Sequence, residues 1–212
     1  MLVTEIFNSI EGEGKRIGLP STFIRLYGCN LRCSYCDSMY AVNSNAYDEM
    51  SVDEIIAEVD KLDCPNVTVT GGEPLIHKDI YKLLNELVYR GYAVNVETNG
   101  SINPEVYYPT LFYTVDYKIK SSGMSEHMNR ELFTKLTYKD VIKFVVGTKD
   151  DLRQAKSFID SIQTDALIYV SPIFGDIEAK EIVEFVKENR LWKWHVQLQL
   201  HKYIWDPDMK GV

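Results

Sequence analysis

Short runs of β-branched and aromatic residues alternate along this chain with stretches whose apolar positions recur every three or four residues. The first pattern predicts strands over residues 3–7, 22–27, 67–70, 93–97, 112–118, 140–146, 167–170 and 195–200. The second predicts helices between several of them. Ser51-Val52-Asp53-Glu54 has the form of a capping box and opens a helix through Leu62. Tyr81, Leu84, Leu87 and Val88 keep helical spacing up to Gly91, a natural stop. Leu152, Ala155 and Ile159 mark another helix, and Ile182, Val183 and Val186 a fourth. Strands alternating with helices predict a parallel sheet. A closed eight-fold barrel takes about 250 residues, and this chain has too few helices for eight units. The pattern therefore predicts an α/β fold built as a partial, open and abbreviated parallel β/α barrel, with a doubly wound open sheet as the alternative. No repeat, low-complexity tract or linker divides residues 1–212, so one domain is expected.

Composition narrows the class without adding chemistry. The chain is 45% hydrophobic and 25% charged, as in ordinary globular proteins. No run approaches the roughly 18 apolar residues of a membrane span. The start, Met1-Leu2-Val3-Thr4-Glu5, lacks the basic and apolar stretches of a signal peptide, so a cytoplasmic protein with no membrane partner is expected. A net charge of −8 argues against a broad nucleic-acid surface.

The chemistry begins at the cysteines. Cys29, Cys33 and Cys36 follow a Cys-x3-Cys-x2-Cys spacing, and Cys64 lies far downstream. Iron–sulfur clusters for electron transfer use four thiolates. Three can hold three corners of a cubane and leave one iron open to a ligand, which points to catalysis. A structural zinc site usually closes with a second ligand pair; none is present, and His77, His127, His195 and His201 are remote in sequence. Four cysteines in 212 residues do not make a disulfide scaffold. Cys64 reads as a small buried hydrophobe.

The conspicuous motifs fall at predicted strand ends, where parallel α/β folds place their ligands. The cysteines follow strand 22–27, Thr70-Gly71-Gly72-Glu73-Pro74 follows strand 67–70, and Glu97-Thr98-Asn99-Gly100 follows strand 93–97. Adjacent glycines permit close backbone approach to a ligand, and Glu73 can accept from an ammonium group. Either glycine motif alone reads as a turn; their shared placement with the cysteines makes them a site.

Cys-x3-Cys-x2-Cys followed by Gly-Gly-Glu-Pro resembles the radical S-adenosylmethionine superfamily. Within it, the start Phe7-Asn8-Ser9-Ile10-Glu11-Gly12-Glu13-Gly14, then Gly18-Leu19-Pro20 and Phe23-Ile24-Arg25-Leu26, is similar to the 7-carboxy-7-deazaguanine synthases. The likeness continues in Cys36-Asp37-Ser38 and returns in Gln199-Leu200-His201-Lys202 and Lys210-Gly211-Val212. It implies that Cys29, Cys33 and Cys36 hold a 4Fe–4S cluster whose open iron chelates S-adenosylmethionine. One electron then cleaves that cofactor to methionine and a 5′-deoxyadenosyl radical, with no side chain acting as catalyst. The family converts 6-carboxy-5,6,7,8-tetrahydropterin to 7-carboxy-7-deazaguanine with loss of ammonia, on the way to queuosine and other deazapurines. Magnesium assists, a flavodoxin or ferredoxin supplies electrons, and the enzymes tend to form homodimers.

The resemblance also assigns residues. Tyr35, Cys36, Asp37, Gly72, Glu73, Asp116, Tyr117 and Lys118 are implied to bind the cofactor, and Ser38 the magnesium. Ile10, Glu11, Gly12, Glu13, Arg25, Thr70, His201 and Val212 are implied to bind the pterin. Blander readings accompany these: Glu13 and Arg25 as an internal ion pair, Lys118 as a solvated strand-end charge, His201 as a surface histidine and the last residues as a frayed tail. The chain departs from the family with Glu11 for Gln, Ser38 for Thr and Asp116-Tyr117 for Ser-Pro. Two rival functions remain: a glycyl-radical-enzyme activating enzyme, and a non-catalytic iron–sulfur or zinc binding module.

Overall fold

The computed structural model describes residues 1–207 and 209–212. In chain order its elements are β1 (Leu2–Ile10), β2 (Pro20–Leu26), α1 (Tyr40–Asn43), β3 (Asp48–Glu49), α2 (Val52–Leu62), β4 (Asn66–Gly71), α3 (Ile80–Tyr89), β5 (Ala93–Thr98), β6 (Leu111–Asp116), α4 (Arg130–Lys135), β7 (Val141–Val146), α5 (Lys149–Asp160), β8 (Leu167–Pro172), α6 (Ala179–Glu188), β9 (Trp194–Val196) and α7 (His201–Ile204). All described strands join one sheet in the order β3-β1-β2-β4-β5-β6-β7-β8-β9. From β2 to β9 every pairing is parallel. The outer strands do not pair, so the barrel is partial and open, as its pattern predicts.

One end departs from the all-parallel expectation. β1 runs antiparallel to β2 and β3. Its connection to β2 is short, and a parallel pairing needs a crossover of a dozen or more residues. The predicted strand over 195–200 is also cut short, ending at Val196. Gln197 still donates its N–H to Val170 O at 3.0 Å, but its side-chain oxygen then accepts from Gly14 N at 3.0 Å. Leu200 N donates to Gly12 O at 2.9 Å. A loop therefore bridges the gap that strands leave.

Neighbouring parallel residues point to the same face, and the register sorts the faces chemically. Val67 pairs with Val94 and Val94 with Leu111, while Val115 pairs with Ile142 and Ile142 with Ile168. These face α2, α3, α5 and α6 and form one apolar core with residues such as Ile55, Leu84 and Phe158. Each such buried side chain contributes roughly 1.5–3 kcal/mol. Between them, Arg25 pairs with Thr70, Glu97 with Thr114 and Asp116 with Lys143, placing polar groups on the concave face.

The four predicted helices form. Ser51 and Glu54 complete both halves of the capping box on α2. Thr148 and Asp151 make a second box on α5, which the sequence pattern alone does not flag because the reciprocal residue is Asp. α1, α4 and α7 are too short to produce a periodic signal. Val183 sits 38% exposed rather than in the core, and Cys64 is buried as expected. No described helix is long and apolar enough to cross a membrane.

Candidate active site

A cavity of about 280 Å³ opens at the ends of the parallel strands. The loop after β2 brings Cys29, Cys33 and Cys36, each half-buried, to its wall. Burial pushes the Cys33 thiol up to about 11, and Cys36 is raised for the same reason. The loop is pinned at both ends: Gly28 N donates to Ala41 O at 2.8 Å and Ser34 N to Ser122 O at 3.0 Å. Among the described residues no three His, Cys, Asp or Glu side chains gather tightly enough for one metal ion. The three thiols share one wall of the cavity.

The glycine pair has a packing task besides the ligand approach its sequence predicts. A Cβ on Gly72 would overlap the Gly28 carbonyl and reach within 3.0 Å of Cys29 Cβ; one on Gly71 would overlap the backbone of Leu26. Gly72 N donates to Leu26 O at 3.0 Å and Glu73 N to Gly28 O at 2.8 Å. The glycines let β4 press against the base of the cysteine loop. Gly72 still lines the cavity.

Two of the cofactor candidates, Glu73 and Tyr117, keep their side chains out of the cavity lining. Glu73 is fully buried behind the wall, where its carboxylate accepts from Leu75 N at 3.0 Å, Thr98 Oγ1 at 2.7 Å and Asn99 N at 2.6 Å. Burial raises its pKa, and those donors oppose the rise. Internal donors engage this carboxylate. The Tyr117 ring turns to the helical side and stacks on Phe158 at 3.8 Å, because the residue follows Asp116 on the opposite face.

The other cofactor candidates meet at one end of the cavity. Tyr35, Asp37, Asp116 and Lys118 line it. Lys118 is paired with Asp116 Oδ2 at 2.9 Å and is only partly exposed, not a solvated strand end. Burial opposes the charge on Lys118, but Asp116 and its neighbours outweigh this and raise its pKa. Among the described residues, Tyr35 Oη and Asp116 Oδ1 are buried without a hydrogen-bond partner. One donor and one acceptor thus remain for a polar ligand beside the thiols. Ser38 donates to Asp37 Oδ1 at 3.0 Å, setting two hard oxygens side by side at the rim.

Charges at the other end pair differently from expectation. Glu13 does not meet Arg25: it takes Lys143 Nζ at 2.7 Å and Ser171 Oγ at 3.0 Å. Burial opposes the Lys143 charge, but Glu13, Asp116 and Glu97 overcome it and raise its pKa. Arg25 pairs with Glu5 at 2.6 Å through Nε. Thr70 donates to Glu97 Oε2 at 2.8 Å. Glu11 is engaged through one oxygen, which accepts from Arg16 at 2.7 Å and from Thr68; its second oxygen is the atom left for a ligand. Ile10, Glu11, Gly12, Glu13, Arg25 and Thr70 all line the cavity.

The C-terminal segment closes this end. His201, Lys202, Lys210 and Val212 line the cavity. His201 lies against Gly12 so closely that a Cβ there would overlap its imidazole. Burial lowers the pKa of His201. Lys143, Glu97, Arg16 and Asn99 are the participants absent from the sequence assignments. Lys143 had a readable signal, as the lone charge in the apolar run Val141–Val146; Arg16 had none.

An open β/α barrel with three thiols on the loop after its first parallel strand defines a radical S-adenosylmethionine enzyme, and residues 23–111 match the Radical SAM superfamily. The fold resembles that of QueE from Escherichia coli, with a TM-score of 0.77 at 22% identity over 93% of this chain and 92% of that one. It also resembles Streptococcus suis SuiB bound to S-adenosylmethionine, with a TM-score of 0.54 at 13% identity over 83% of this chain and 51% of that one. The chain is 42% identical to the 7-carboxy-7-deazaguanine synthase of Clostridium acetobutylicum, covering 99% of this chain and 98% of the relative. It is 39% identical to that of Chlorobaculum tepidum, covering 99% and 96%. It belongs to the 7-carboxy-7-deazaguanine synthase family.

Proposed function

We propose that this chain converts 6-carboxy-5,6,7,8-tetrahydropterin to 7-carboxy-7-deazaguanine with release of ammonia, a carbon–nitrogen lyase step toward queuosine and related deazapurines. The observation that carries this reading is that one cavity joins three thiols at one end to carboxylates and guanidinium at the other. Cys29, Cys33 and Cys36 hold the cluster, which supplies the electron for reductive cleavage of S-adenosylmethionine. Tyr35, Asp37, Gly72, Asp116 and Lys118 hold that cofactor, with the unpartnered Tyr35 Oη and Asp116 Oδ1 supporting the assignment.

Glu11 and Glu13 accept from the donor-rich aminopyrimidine edge of the pterin. Arg25, its Nε occupied by Glu5, offers its outer N–H groups to a carboxylate or carbonyl. Ile10, Gly12, Thr70, His201 and Val212 complete the pocket. Ser38, with Asp37 beside it, supports a magnesium ion that keeps waters and takes a substrate carboxylate, since this metal needs few protein ligands. Residues 1–212 act as one unit in the cytoplasm, as a homodimer that draws electrons from a flavodoxin or ferredoxin.

Anaerobic turnover tests the reading. Reconstituted protein, reductant and S-adenosylmethionine are incubated with or without the pterin and magnesium, and products are followed by mass spectrometry. Pterin-dependent 5′-deoxyadenosine and 7-carboxy-7-deazaguanine are expected together. Deoxyadenosine without deazaguanine would redirect the search to another substrate. Removing residues 210–212 should mainly raise the Michaelis constant for the pterin.

A further inference from the structure

Two N–H groups point at the Cys29 sulfur. Leu31 N lies 3.3 Å from it and Asn99 Nδ2 3.6 Å. Cys36 has a backbone donor in Ser38. Among the described residues, Cys29 alone of the three has a side-chain N–H donor.

The orientation of the Asn99 amide follows from its surroundings. Its Oδ1 faces Ser101 N at 3.0 Å, and a backbone N–H can only donate. The oxygen therefore belongs on that side, and Nδ2 is left facing Cys29 Sγ and Asn30 Oδ1, the latter at 2.9 Å. Asn99 is buried, and its backbone N–H is held by Glu73 Oε2 at 2.6 Å. Thr98 adds a second tie to the same carboxylate at 2.7 Å. The glutamate of the Gly-Gly-Glu-Pro motif thus fixes the residue that reaches the sulfur.

We propose that Asn99, held in place by Glu73, is a positioning residue that donates a hydrogen bond to the Cys29 thiolate and raises the reduction potential of the cluster. The inference rests on the assignment of the three cysteines to a cluster. Reduction adds negative charge that is shared with the thiolate sulfurs, so a donor there favours the reduced state. Removing the donor makes the cluster harder to reduce.

The test uses the full chain, reconstituted anaerobically as Asn99→Ala, Asn99→Asp and the unaltered protein. Iron and sulfide are counted, and the midpoint potential is read by titration of the reduced electron paramagnetic resonance signal. Asn99→Asp keeps the acceptor for Ser101 but places a carboxylate oxygen where Nδ2 stood. Both variants should load, with midpoints more negative than the unaltered protein and Asn99→Asp the more negative. If only one loads, its midpoint decides. An unmoved or more positive midpoint overturns the proposal, and so does failure of both variants to load, which would make Asn99 a support for the loop alone. An unaltered protein that takes up no four-iron cluster would instead overturn the cysteine assignment.

Discussion

Lys143 Nζ stands 2.7 Å from Glu13 Oε2 and 3.9 Å from Asp116 Oδ2. Since Asp116 also takes Lys118, a continuous run of alternating charges spans the cavity from its Glu13 end to its thiol end. Replacing Lys143 by Met would leave largely covered carboxylates without their counter-ion, a change that costs about 3–5 kcal/mol in fully buried pairs. Urea unfolding of the cluster-free protein should register that loss, and Lys143→Arg should recover most of it. A loss below about 1 kcal/mol, the range of an exposed pair, would show that the run is not a supporting element.

Gly72→Ala attacks the contact between β4 and the cysteine loop. The obstacle is the Gly28 carbonyl, a backbone group that cannot swing aside. Overpacking costs about 1–3 kcal/mol where side chains can yield, so at least that much is expected. Iron retained after reconstitution should fall steeply while far-ultraviolet circular dichroism keeps its native form. Full iron loading would mean the two strand ends can part without harming the loop.

Glu11→Gln keeps an oxygen for Arg16 and Thr68 but removes the negative charge. Hydrogen bonds to charged partners are worth roughly 1 kcal/mol more than neutral ones, and a loss of that size is expected on unfolding. A more stable variant would contradict the pairing.

His201 gives a pH dependence with a definite sign. Burial lowers its folded pKa below the ordinary 6.5, so the native state holds it neutral. Below about pH 6.5 the unfolded chain binds a proton that the native one does not, and stability falls as pH drops. Above that value the contribution is flat. The stability difference between the unaltered protein and His201→Gln, followed from pH 8 to 5, should shift in favour of the variant below pH 6.5. A pH-independent difference would remove His201 from its buried setting.

The strands and long helices were legible because each carries a period of its own: the capping box of Ser51 and Glu54 and the apolar run 141–146 need no tertiary information. Partner choice was not legible. Whether Glu13 would meet Arg25 or Lys143 depends on which strands become neighbours, and Lys143 lies 130 residues away. The direction of a side chain at a strand end was equally hidden, which is why Tyr117 reads like a site residue and packs as a core one. Asn99 lay within a flagged motif, but its role depends on a contact with Cys29 across 70 residues.

The hydrogen bond from Gly14 to Gln197 spans 183 positions and reaches across the open side of the barrel. During synthesis, strands β1 to β9 all leave the ribosome before residues 197–201. The ties of residues 28–34 run to Ala41, Asn99, Ser121 and Ser122, so this part of the thiol loop can form on a chain whose opposite cavity end still lacks its wall, while Asp37 waits for Lys202 at 3.8 Å. Contacts of such high sequence separation are slow to form. The order of emergence therefore lets the cysteine end of the cavity take shape first and leaves the opposite end as the last to be walled in.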